Sequence, residues 1–207
     1  MSRPAKFWDR IAERYAKRPI ADEAAYERKL EITRKYLRPD MHVLEFGCGT
    51  GSTAILHAPH VERIHAIDIS AKMLDIAKRR ADEAGVGNVN FDQLTLEQLG
   101  ATEESFDAVL GLSILHLLDD KDAAIAEVHR LLKPGGVFIS STACIGDMAK
   151  IFGLILPVGA FLGAIPRVKV FTRTELETSL NDAGFEIDQA WQPGKGKAVF
   201  IVAKKAG

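Results

Sequence analysis

The sequence predicts an α/β fold: a doubly wound, seven-stranded, mostly parallel sheet that finishes in an antiparallel C-terminal hairpin strand. Three observations predict it. Short apolar runs alternate with amphipathic helical segments from His42 to Ala143, the pattern of a parallel sheet covered by helices on both faces. A glycine-rich turn, Gly47-Cys48-Gly49-Thr50-Gly51, directly follows the first of those runs. The last two runs are joined by only Gln192-Pro193-Gly194-Lys195-Gly196. Parallel neighbours need a crossover of about a dozen residues or more, so these two must pair antiparallel.

Each element has its own warrant. Tyr26, Leu30, Thr33 (through its methyl) and Leu37 keep helical spacing, and Pro39 closes that run. His42–Phe46 is a short buried strand ended by glycines, and Ser52 begins the next helix. Arg63–Asp68 is the second strand. Ser70 N-caps the helix after it, whose apolar face carries Met73, Leu74 and Ala77. Asn88–Leu94 and Phe106–Ser113 read as the third and fourth strands. Lys121–Leu132 is helical through Ala124, Ile125, Val128 and Leu131. Pro134-Gly135-Gly136 turns the chain into a fifth strand, Val137–Ala143. Thr172 and Glu175 form a capping box for a helix that ends near Gly184, and Phe185–Trp191 and Lys197–Ala203 make the hairpin.

The chain reads as one domain of 207 residues: an N-terminal helical cap (1–38), a ligand-binding core (39–143), an insertion (144–171), and a terminal helix with its hairpin (172–207). The net charge of −1 offers no general attraction to nucleic acid. Cys48 and Cys144 are the only cysteines and form no CxxC pair. A thiolate metal site is therefore not expected, and a reducing cytoplasm is the expected compartment. The apolar stretch Ile151–Pro166 is shorter than the ~20 residues that span a bilayer, so no stable membrane insertion is expected.

Glycines in the first βα turn let backbone approach a ligand without an intervening Cβ, and the helix behind them presents free N–H groups. Asp68 ends the second strand, where a carboxylate accepts hydrogen bonds from ribose hydroxyls. The plainer reading of Asp68 is a carboxylate at a helix N-terminus. Both features on successive strand ends favour a ribose-bearing cofactor.

In this order and spacing, VLEFGCGTG (43–51), AIDIS (66–70) with Met73, FDAVLGLSILHLL (106–118), EVHRLLKPGG (127–136) and FISS (138–141) resemble the small-molecule branch, methyltransferase type 11-like, of the class I S-adenosylmethionine (SAM)-dependent methyltransferases. The resemblance covers roughly residues 37 to 143, and the antiparallel hairpin is similar to that family's seventh strand. It implies a Rossmann-like methyltransferase fold, SAM as cofactor, S-adenosyl-L-homocysteine (SAH) as product, and no metal. It further implies that Glu45, Gly47, Cys48 and Gly49 line the methionine end, that Asp68 takes the ribose, and that Ile69 and Met73 pack on adenine. Leu112 would meet the cofactor from below. The family often places an acidic residue after the third strand for the adenine amino group; here Thr95 stands there, followed by Leu96, with Asp92 displaced into the strand.

His116 is the candidate general base, the alternative being a histidine that only shapes the pocket. Ser113 is read as a structural residue or a substrate contact. Phe7, Trp8, Ile11 and Tyr15 share a helical face from which Tyr15 is expected to close over the cofactor, or on which the helix simply packs against the core. Three readings are open for Ile151–Pro166: a lid over a lipophilic acceptor, a membrane-surface contact, or a homodimer surface. The lid is favoured, with Arg167 and Lys169 beyond it to bind an acid group. The expected partner is a small-molecule acceptor, not nucleic acid; no Asp/Asn-Pro-Pro-aromatic tetrad of amino-methylating enzymes follows the fourth strand. A SAM-binding regulator without turnover is the alternative. A nicotinamide-dependent oxidoreductase is disfavoured because Ser52 stands where a dinucleotide fingerprint carries its third glycine.

Overall fold

The computed structural model describes residues 2–147 and 168–207. Its helices are α1 (Arg3–Ala16), α2 (Glu23–Arg34), α3 (Ser52–His57), α4 (Ala71–Glu83), α5 (Lys121–Leu131) and α6 (Arg173–Asp182). Its strands are β1 (His42–Phe46), β2 (Arg63–Asp68), β3 (Val89–Gln93), β4 (Phe106–Leu112), β5 (Leu132–Thr142), β6 (Phe185–Trp191) and β7 (Val199–Lys205). They form one seven-stranded sheet in the order β3-β2-β1-β4-β5-β7-β6. The five strands from β3 to β5 are parallel, and β7 runs antiparallel to both β5 and β6.

Alternation along the strands splits the core in two. Leu44, Phe46, Val109, Phe138 and Ile201 face α5 and α6 side chains such as Ile125, Leu131 and Leu176. Val43, Ala66, Leu110, Ile139 and Phe200 face the opposite way, against Leu74 and Ala77 of α4 and Ala54 of α3. The caps form as expected. Ser70 Oγ accepts the Met73 N–H at 3.2 Å, and Thr172 and Glu175 make a reciprocal capping box. One local expectation is corrected: Pro134-Gly135-Gly136 does not precede β5 but lies within it. Leu132 already pairs with Phe106, and a register shift opposite Asp107 absorbs the extra residues before Val137 pairs with Ala108.

The amino-terminal helices are fastened to this core by specific contacts. Trp8 and Ala12 of α1 pack on Met73 and Ile76 of α4. Asp9 Oδ1 accepts the Ser70 hydroxyl at 2.6 Å and the Lys72 N–H at 3.1 Å. The apolar stretch Ile151–Pro166, with Arg167, lies outside the described residues. Among those described, no helix is long and apolar enough to cross a membrane, and no group of three or more His, Cys, Asp or Glu is placed to hold a metal ion.

Candidate active site

Four adjacent strands, in the order β2, β1, β4 and β5, each bring one side chain to the same face at their carboxyl ends. Asp68 shares the face of Ile64 and Ala66, and Glu45 that of Val43. Leu112 follows Ala108 and Leu110, and Ser141 follows Val137 and Ile139. Ligands of open α/β sheets bind outside these strand ends, at the point where the chain reverses its winding direction; here that point lies between β1 and β4.

Over this face lies a cleft of about 710 Å³, the size of a small-molecule site. Its walls include the glycine turn from Gly47 to Thr50, Leu112 and Ser113 of β4 and its exit, Tyr15 at the end of α1, and Tyr26, Lys29 and Thr33 of α2. The glycine turn winds through left-handed backbone at Gly47, Gly49 and Gly51. Ser113 also adopts this conformation, at φ 61°, where an L side chain costs roughly 1–2 kcal/mol. Its N–H donates to Ser141 O at 2.7 Å, which locks the exit of β4 against the end of β5. Strain of this kind gathers at sites where a side chain must be aimed.

Two carboxyl groups dominate the electrostatics. Glu45 is buried, and its Oε2 has no hydrogen-bond partner among the described residues. Burial, and then the nearby Asp68 charge, push its pKa up to about 8. Asp68 is also raised, by burial above all. Its two oxygens accept backbone N–H groups from Gly49 and Ser70, each at 2.8 Å, which oppose that rise and tie the glycine turn to β2. An orphaned acidic oxygen in the wall of a cleft asks for a cation. The pyrophosphate of a dinucleotide would gain nothing from Glu45, whereas the ammonium of SAM would pair with it once its proton leaves. The residues present fit SAM.

Of the residues expected to meet a cofactor, Tyr15, Glu45, Gly47, Cys48, Gly49 and Leu112 line this cleft together, and Asp68 joins them through Gly49. The remaining residues lie elsewhere. Met73 is buried beneath α1, and Leu96 belongs to the core on the opposite face of the sheet. Ile69 is partly exposed, its carbonyl accepting the Gln93 amide. Thr95 uses its hydroxyl to accept the Gln98 N–H at 3.3 Å, while Asp92 is held by His65 at 2.8 Å. His116 does not line the cleft. It sits in the short turn of helix after β4, with its Nδ1 buried and without a hydrogen-bond partner among the described residues, and burial lowers its pKa.

Sequence reasoning missed Arg80, Lys29 and Ser141. Arg80 fastens the roof of the cleft: Nη1 donates to Thr50 Oγ1 at 2.9 Å and Ser52 Oγ at 3.1 Å, and Nη2 to Ala16 O at 2.8 Å. Its position on the face of α4 that carries Met73, Ile76 and Ala77 was a signal available in the sequence.

Because Asp68 also holds two backbone donors, an affinity loss in Asp68→Ala alone does not isolate a ribose contact. A paired measurement does. SAH is expected to bind the wild-type protein about 1–2 kcal/mol more tightly than its 2′-deoxy analogue, and equally in Asp68→Ala. An unchanged preference in the variant would remove Asp68 from the ribose.

Comparison with known proteins agrees with this geometry. Residues 43–136 match a family model described as a methyltransferase domain. The chain is 36% identical over 110 residues to an uncharacterized methyltransferase, YcgJ, of Bacillus subtilis (strain 168), covering 53% of this chain and 44% of that protein. It is 33% identical over 155 residues to a ubiquinone biosynthesis O-methyltransferase of Paracidovorax citrulli (strain AAC00-1), covering 71% of this chain and 64% of that protein. It therefore spans less than two thirds of the length of these curated relatives. The crystal structure of geranyl diphosphate C-methyltransferase from Streptomyces coelicolor A3(2), in complex with Mg2+, geranyl diphosphate and SAH, shares the fold at 18% identity with a TM-score of 0.72, covering 87% of this chain and 79% of that one. In its matched core and its strand order this chain is similar to methyltransferases, the family that its sequence motifs resemble.

Proposed function

We propose that the protein transfers the methyl group of SAM to a small-molecule acceptor. The observation that carries this reading is Glu45: a buried carboxyl in the cleft wall, unpartnered among the described residues, one strand from Asp68 and beside a glycine turn. Glu45 is the group suited to an α-ammonium, and Asp68 to ribose hydroxyls. Tyr15, held edge-on to Trp8 with ring centroids 6.0 Å apart, lines the cleft and is the group suited to cover the cofactor. When bound, SAM supplies a methyl group on a cationic sulfonium, already activated toward in-line attack. The chain's residues have then to align the acceptor and exclude water, a contribution of about 7–11 kcal/mol in well-aligned systems.

The relatives support a small-molecule acceptor without naming it. One is a ubiquinone biosynthesis O-methyltransferase, and another acts as a geranyl diphosphate C-methyltransferase. His116 stays a proposed base on the strength of its buried Nδ1 alone, which has no partner among the described residues, since it stands outside the cleft walls. The two cysteines are buried and free, which suits a reducing cytoplasm.

Incubation with methyl-labelled SAM and a pool of small acidic and neutral acceptors tests the reading. Labelled product and SAH are expected in equal amounts. SAM binding without SAH formation from any acceptor would support a SAM-binding regulator instead.

The charge on Glu45 adds a second test. Below its pKa of about 8 the free protein holds Glu45 protonated, and pairing with an ammonium requires that proton to leave. SAM affinity is therefore expected to rise between about pH 6 and about pH 7.5, by up to about tenfold per pH unit, with release of a proton on binding. Calorimetry in buffers of different ionisation enthalpy measures that proton directly. A flat profile with no proton release would separate Glu45 from the ammonium.

A further inference from the structure

Along the strand ends that floor the cleft the charge changes sign, while Arg18 and Arg80 line its wall beside the glycine turn. On the β2 and β1 side stand the carboxyl groups of Asp68 and Glu45; on the β5 side stands the ammonium of Lys29. Lys29 reaches down from α2 and its Nζ donates to Ser141 Oγ at 2.9 Å. Ser141 is the penultimate residue of β5, pairs in register with Leu112, and is fixed by the Ser113 N–H, which donates to its carbonyl at 2.7 Å. Neighbouring strands lie about 4.8 Å apart, so Ser141 stands two strands, about 10 Å, from the strand of Glu45. The exit of β4, at Leu112 and Ser113, lies between the two.

Lys29 is half-buried, and among the described residues it forms no ion pair; Asp22 acts on it only through space. An ammonium carries three donors, and Ser141 takes one. A lysine drawn into a cleft without a carboxylate partner gives up hydration with no compensating charge. Burial accordingly lowers its pKa, with Asp22 opposing. The missing partner is an anion, and the cleft is where it would enter.

We propose that Lys29, seated on Ser141, recognises the methyl acceptor by an anionic oxygen. This rests on the methyl-transfer reading and sharpens it: the acceptor is a small acid bearing a carboxylate, or an acidic phenol or enol ionised in the site. Two anchors of opposite sign, on β1 and on β5, would then hold the two substrates on either side of Leu112 and Ser113. In the phenolate or enolate case the oxygen lone pair forms the new O–CH3 bond as the S–CH3 bond breaks. The bonding pair returns to sulfur, so no proton has to be removed during the transfer.

Binding separates the possibilities without knowledge of the natural acceptor. Benzoate, 4-nitrophenolate and neutral benzamide would be titrated into the protein with and without saturating SAH. The proteins compared would be wild type, Lys29→Met, Lys29→Arg and Ser141→Ala, with SAH affinity measured separately for each. At least one of the two anions is expected to bind wild type about tenfold more tightly than benzamide. Lys29→Met should lose that preference, Lys29→Arg should keep most of it, and SAH affinity should stay unchanged in both. Which anion binds tells a carboxylate from a phenolate. Equal binding of anions and benzamide, or an anion preference that persists in Lys29→Met, would overturn the proposal. So would a tenfold loss of SAH affinity in Lys29→Met, because the lysine would then hold the carboxylate of the cofactor. Failure of wild type to bind SAH, with the anion preference intact, would instead count against the methyltransferase reading.

Discussion

Gly49→Ala is expected to fold and yet lose SAM affinity by about ten- to a hundredfold, whereas Gly51→Ala is expected to lose the fold first. Both glycines are left-handed, at φ 54° and 72°, so each alanine brings roughly 1–2 kcal/mol of backbone strain. Their surroundings differ. A Cβ at Gly49 meets nothing within 4 Å: it projects into open space beside the N–H that Asp68 accepts, where a ligand would lie against the turn. A Cβ at Gly51 would stand 2.8 Å from Ala77 Cβ and 3.0 Å from the Phe91 ring. That overpacking adds about 1–3 kcal/mol of destabilisation. Thermal unfolding and SAM titration of the two variants check both halves. A Gly49→Ala protein that binds SAM normally would mean that the turn does not touch the cofactor.

Glu45→Gln is expected to separate stability from function. Removing the charged partner of the ammonium should weaken SAM binding by about 1.5–3 kcal/mol. The same change should stabilise the ligand-free protein. A carboxyl whose pKa rises from 4.5 to about 8 on folding is favoured by folding only in its neutral form. Its stability contribution is intact below about pH 4.5 and lost as pH rises through about 8. Glutamine carries no such penalty, so the variant should gain about 1–3 kcal/mol above pH 7, and less than that at pH 5. Denaturant titrations at the two pH values measure the difference. Equal stability at both would mean that Glu45 is not held neutral in the empty cleft.

The mostly parallel sheet with its antiparallel hairpin, and the glycine turn after β1, were legible because their causes are local. Glycines at 47, 49 and 51, an acid at the end of each of the first two strands, and period-two alternation are all written in short windows. The capping box at Thr172 and Glu175 is another such signal, complete within four residues. Lys29 was not legible: its partner is 112 residues away, and the α2 sequence around it looks like any solvated helical face. Ser113 was read as a structural residue or a substrate contact, but its left-handed backbone was not legible, since only the bond to Ser141 shows why a serine accepts it.

On the adenine side, position in the sequence does not show how the residues pack. Met73 and Leu96 have the right spacing, but tertiary packing sends one beneath α1 and the other into the core on the far face of the sheet. Thr95 was expected to serve adenine, yet its hydroxyl already caps the turn that ends at Gln98. β5 illustrates the same competition at the level of secondary structure. Pro134-Gly135-Gly136 carries turn chemistry, but pairing of Leu132 with Phe106 extends the strand past it as a bulge.

The central claim is that this cleft is built for a cation-bearing nucleoside rather than for a pyrophosphate. Parallel calorimetric titration with SAM, SAH and NAD tests it most directly. The expected result is binding of SAM and SAH, each with release of a proton at neutral pH, and no binding of NAD. Binding of NAD alone would contradict the assignment of Glu45 and the glycine turn, and with it the proposed methyl transfer.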